Sequence, residues 1–155
     1  MYRAMMLAAL ALVAGGAIAS DEAARVDVGE GFAAQRAQIL DELGDGETYS
    51  EITSKDRAEV QAALARITTA LDNAGGVDRL TESGKVEVFN DQELVNNILT
   101  RAGDDSRLVC KRVRKTGSHM TSNQCMTVAA RKRATEHAQE TLRRTPSPSL
   151  RQEGM

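Results

Sequence analysis

The sequence predicts an α+β fold: a mainly helical small domain with one disulfide-closed β-hairpin. Three observations predict it. Val60, Leu64, Ile67 and Leu71 recur at helical spacing, and so do Leu94, Val95, Ile98 and Leu99. The chain has only two cysteines, Cys110 and Cys125, placed symmetrically about Gly117-Ser118. With that pair as the turn, the cysteines face each other across antiparallel strands, at a separation a disulfide can span.

Residues 1–19 read as a secretory signal peptide. Arg3 supplies the positive start, MMLAALALVAGGAIA the short apolar run, and Ala17-Ile18-Ala19 a small-x-small cleavage site. The run is short for a membrane span. The expected location is therefore periplasmic or secreted, and in an oxidising compartment two cysteines are most simply one disulfide. Zinc is the alternative, through His119 and His137, but the close ligand pairs of structural zinc sites are missing, so neither metal nor cofactor is expected.

The predicted elements follow in order. Residues 20–31 are polar and are expected to be a disordered leader. A single small domain covers 32–144. Phe32, Ile39, Leu40 and Leu43 predict a helix over 32–43, stopped by Gly44. The strongest helix runs over 55–72, with Ser54 as its cap and Asp56 and Glu59 at the positive end of its dipole. KVEVF, 85–89, alternates like a short strand. Asn90 then caps a helix over 91–101, with Glu93 in capping-box position, and Gly103-Asp104-Asp105-Ser106 makes a turn. The hairpin spans 107–127, with a type II′ turn at Gly117-Ser118. Alternation puts Val109, Val113, Met120 and Met126 on one face, expected to pack on the body. Cys110, Arg112, Arg114, Thr121, Asn123, Cys125 and Thr127 take the other. A last helix, 128–144, has a weak stripe of Ala130, Ala134, Ala138 and Leu142 and is expected to dock loosely. Pro146 and Pro148 mark a disordered tail over 145–155.

The core is thin: from Ser20 onward 26 residues are Leu, Ile, Val or Phe, so a modest folded domain with loose ends is expected. Three aromatics remain there, Phe32, Tyr49 and Phe89, which argues against stacking platforms for single-stranded nucleic acid.

Charge is the most informative functional feature. Residues 21–105 carry 19 acidic and 8 basic side chains, whereas 106–155 carry 3 acidic and 11 basic. Arg107, Lys111, Arg112, Arg114 and Lys115 cluster on the hairpin, and Arg131, Lys132 and Arg133 on the helix after it. These eight are the candidate anion- or partner-binding residues, and the expected partner is an anionic envelope component or an acidic protein. Alternatively the acidic and basic halves pair, within one chain or between chains, as in a structural or accessory protein. No catalytic serine, zinc-protease or phosphate-loop motif is present, and Ser118-His119 has no evident orienting acid, so no enzymatic activity is expected.

Three runs, TYSEITSKDRAEVQAALARI, NDQELVNNILT and SRLVCKRVRKTGSHMTSNQCMT, resemble a family of small exported proteins of Gram-negative bacteria. The shared features are a first Cys in a basic strand, a Gly-Ser turn after Thr or Val, and a second Cys followed by Met or Arg and then Thr. The resemblance covers roughly 48–135. It implies export and paired cysteines, and no activity. In that group an acidic helix start often follows the Cys-x-Thr stretch. Val128-Ala129-Ala130 has no acid, which weakens a capping box at Thr127.

Overall fold

The computed structural model describes residues 25–29 and 31–144. The signal peptide expected over 1–19 and the tail over 145–155 lie outside the described residues. The fold is α+β and mainly helical: α1 (Phe32–Asp45), α2 (Ser54–Ala74), a 3-10 turn (Val77–Arg79), α3 (Glu82–Ser106), β1 (Leu108–Arg114), β2 (Thr121–Thr127) and α4 (Val128–Arg144).

The long helices α2 and α3 form the central pair, and α1 packs against α2. Thr53, one residue before the expected cap, starts α2 by accepting the Asp56 N–H at 3.0 Å. Val60, Leu64 and Ile67 of α2 are fully buried, as the spacing predicts, and Ala63 is buried with them. Leu71, at the end of the stripe, is only partly buried. Gly75, at φ +74, closes the helix by donating to the Leu71 carbonyl at 2.9 Å. In α1 the buried stripe is Phe32, Ile39 and Leu43. That helix runs through Gly44 and stops at Gly46 instead, which takes φ +72.

The strand expected over 85–89 is helix. Thr81 caps α3 by accepting the Gly84 N–H at 3.1 Å, so the helix begins eight residues before the expected cap at Asn90. Burial explains the outcome. Along one helix, Val88 falls in line with Val95, Ile98, Leu99 and Ala102 on α2's side, while Val86 and Phe89 stay 59% and 47% exposed. The Gly103–Ser106 turn is likewise helical, being the last turn of α3.

The disordered leader expected over 20–31 is corrected where it is described. Val26 and Val28 are each 2% exposed and belong to the core. Side-chain amides hold them. Asn96 of α3 accepts the Val26 N–H at 2.7 Å and donates to the Val26 carbonyl at 3.1 Å. Gln92 accepts the Val28 N–H at 3.0 Å, and Gln35 of α1 the Asp27 N–H at 2.8 Å. Helix side chains thus pair with the backbone of this run as a neighbouring strand would.

The hairpin has the predicted register, with Cys110 opposite Cys125 and Leu108 opposite Thr127. Its turn differs. The strands stop at Arg114 and Thr121, and Lys115–Ser118 closes through the Ser118 N–H to the Lys115 carbonyl at 3.1 Å. Gly117, at φ +81, takes the third position of this turn, which is therefore type II rather than II′. Val109, Val113 and Met126 are half-buried beside α4 rather than on the three-helix body, and Met120 is 81% exposed. No residue of β1, β2 or α4 is buried. Together they form an arm attached to the helical body.

Candidate anion-binding arm

The arm is built from a charged strand paired with an uncharged one. β1 reads LVCKRVR and β2 reads TSNQCMT, so cross-strand pairing brings the cations no carboxylate. The Cys110–Cys125 disulfide, with a sequence separation of 15, ties the two strands. Alternation around it places Arg112 and Arg114 on the disulfide face and Lys111 on the opposite face, across from Gln124. Arg112 donates from Nε to Thr121 Oγ1 at 2.9 Å. Lys115 stands in the turn, which with Arg114 and His119 borders a cavity of about 330 Å³ at the tip.

Of the eight predicted residues, all but Arg131 are exposed. Arg107, Lys111, Arg112, Arg114, Lys115 and Lys132 are exposed without an ion pair among the described residues. The other two differ. Arg131 is half-buried, and its Nη2 is shut off from solvent with no hydrogen-bond partner. Arg133 is engaged: it donates to Glu51 through Nη1 at 2.8 Å and Nη2 at 3.2 Å.

Glu51, which sequence reasoning missed, is the joint between arm and body. Besides Arg133, its carboxylate accepts the Thr127 hydroxyl at 2.5 Å. Its own N–H donates to Ser106 Oγ at 2.9 Å, at the buried end of α3. Thr127 in turn caps α4 by accepting the Ala130 N–H at 3.0 Å, and the Val128 N–H donates to the Arg107 carbonyl at 3.0 Å. The acid absent from the sequence at the start of α4 is thus supplied in space by Glu51. The Arg133 guanidinium and the Thr127 hydroxyl, in that order, hold the Glu51 carboxyl below its usual range. No periodicity or motif in TYSEIT marks this residue. Its partners lie 76 and 82 residues away.

Both cysteines are consumed in the disulfide, so they supply no zinc ligands. Among the described residues no helix is long and apolar enough to cross a membrane. A cavity of about 460 Å³ in the body is lined by Arg25 and Arg101 together with Glu93, Asp104 and Asp105. Comparison of the chain with protein-family models, curated proteins and solved structures finds no match.

Proposed function

We propose that this chain is a non-catalytic interaction module, exported to the periplasm or beyond, whose basic arm contacts an anionic envelope component or an acidic protein. One observation carries the reading. Lys111, Arg112, Arg114 and Lys115 are exposed and unpaired, on an arm that buries nothing of its own in the core. Four neighbouring cations left unpaired repel one another, and an approaching polyanion relieves that repulsion. The disulfide supports an oxidising compartment.

The second reading, that acidic and basic halves pair with each other, draws support from the Arg133–Glu51 contact. Of the five ion pairs among the described residues, that one alone joins the two halves. The hairpin cations take no part in it. Changing Arg112, Arg114 and Lys115 together to Glu separates the readings. On the first, retention on anionic vesicles is lost and the melting temperature holds. On the second, retention is unchanged, and it is Glu51→Gln, which breaks the one pair joining the halves, that frees α4.

A further inference from the structure

The hairpin face opposite Arg112 and Arg114 does not lie open. α4 runs beside it, and between them is a cavity of about 230 Å³. Val109, Val113 and Met126, all half-buried, form its apolar wall. Lys111, Gln124, Arg131 and Thr135 supply its polar groups, and no Asp or Glu lines it. The cavity is below the usual range for drug-sized ligands, roughly 300–1,000 Å³. Its chemistry is nonetheless two-sided, with cations at one part and methyl and thioether groups at another.

Arg131 adds a separate observation. Its Nη2 is out of contact with solvent and has no acceptor. Buried donors in folded proteins are nearly always satisfied, and a charged donor left without an acceptor is the costliest exception. A guanidinium cannot relieve that cost by losing its proton. It needs an acceptor, and a planar carboxylate suits it best because two oxygens match two N–H groups.

We infer that the groove between the hairpin and α4 binds a small amphipathic carboxylate. Its head lies on Arg131 and Lys111, and its alkyl body on Val109, Val113 and Met126. A carboxylate entering the cavity meets Arg131, which lines it. Reorientation of the guanidinium about its terminal torsions then supplies Nη2 with the acceptor it lacks. This site shares Lys111 with the polyanion surface proposed above but not Arg112 and Arg114, which strand alternation puts on the other face.

The probe is sodium octanoate, with acetate and n-octanol as controls that each carry half of the chemistry. Titration into the disulfide-bonded protein is followed by amide and arginine-side-chain nuclear magnetic resonance. The expected result is a dissociation constant in the millimolar range, as befits so small a ligand, with shifts at Val109, Val113, Met126 and the Arg131 side chain. Acetate and octanol produce less than about a tenth of that effect. Arg131→Met weakens octanoate binding by about tenfold or more. The charge reversal of Arg112, Arg114 and Lys115, whose side chains lie outside the groove, leaves octanoate binding unchanged. If Arg131→Met fails to fold by circular dichroism, Val113→Phe decides, since it fills the groove from the hairpin side and blocks octanoate. Octanoate that shifts Arg112 and Arg114 instead, that is matched by acetate, that binds Arg131→Met or Val113→Phe as tightly as wild type, or that gives no shifts overturns the inference.

Discussion

Replacing Cys110 and Cys125 with serine will loosen the arm and leave the body intact. The buried apolar residues run from Val26 to Ala102, and none belongs to β1, β2 or α4. The arm is held instead by its strand ladder, the disulfide and the Glu51 joint. The bridge has a sequence separation of 15, and closing a loop of that size restricts the open chain by about 3 kcal/mol in the chain-entropy model. Because the strands contribute nothing to the buried core, that loss falls on local opening of the hairpin rather than on global unfolding. About 3 kcal/mol is roughly a hundredfold in the opening equilibrium. Native-state hydrogen exchange reads this directly. Amides of β1 and β2 beside the bridge should exchange about a hundredfold faster in the double-serine variant. The slowest amides of α2 and α3, around Leu64 and Leu99, should keep their rates, and the melting temperature should move little. Equal acceleration in α2, α3 and the hairpin would refute the reasoning, since the arm would then belong to the cooperative core.

Other outcomes follow from the same contacts. The Glu51 carboxyl has its pKa lowered from 4.5 by folding, so its contribution to arm docking is fully present above that value and is lost as pH falls through the lower folded one. An acid titration of wild type should release α4 resonances in that range, whereas Glu51→Gln should show a loosened α4 at neutral pH and no such transition. Val88→Ala should destabilise urea unfolding by about 1–3 kcal/mol and Val86→Ala by less than about 0.5, because one side chain is buried and the other exposed. A strand at 85–89 would put both on one face and make the two losses alike. Asn96→Leu should cost about 1–3 kcal/mol and free the Val26 segment to limited proteolysis, since the backbone of Val26 loses both of its amide partners.

What was legible in the sequence depended on one strong local constraint at a time. Two cysteines about a Gly-Ser pair were enough for the register of the hairpin, and the register survives although the turn is type II with strands ending at Arg114 and Thr121. The stripe Val60, Leu64, Ile67 was enough for α2. Where two periods competed, local reading failed. KVEVF alternates, yet it also continues the period of Val95, Ile98 and Leu99 backward to Val88, and burial against α2 selected the helix. Residues 25–29 were unreadable because the Val26-Asp27-Val28 alternation is too short to stand out and the backbone partners, the amides of Gln35, Gln92 and Asn96, lie on helices elsewhere in the chain.

The basic surface was legible in the same partial way. Hairpin cations announce themselves by clustering, and their exposure follows from the cost of burying unpaired charge. Arg133 and Arg131 do not fit that pattern: one is consumed by Glu51, a partner distant in sequence, and the other faces a groove that exists only once α4 folds back beside β2. Composition alone cannot separate exposed, paired and half-buried cations within one basic run.

The central claim, that an exposed basic arm meets an anionic partner, is tested most directly by retention of the wild-type, disulfide-bonded protein on vesicles as salt rises. Screening lengths shrink from about 30 Å at 0.01 M to about 8 Å at 0.15 M and about 3 Å at 1 M. The account predicts strong retention on anionic vesicles at low salt, a steep fall through 0.15 M, and none on zwitterionic vesicles at any salt. Retention that is equal on both surfaces, or that is indifferent to salt, would contradict it.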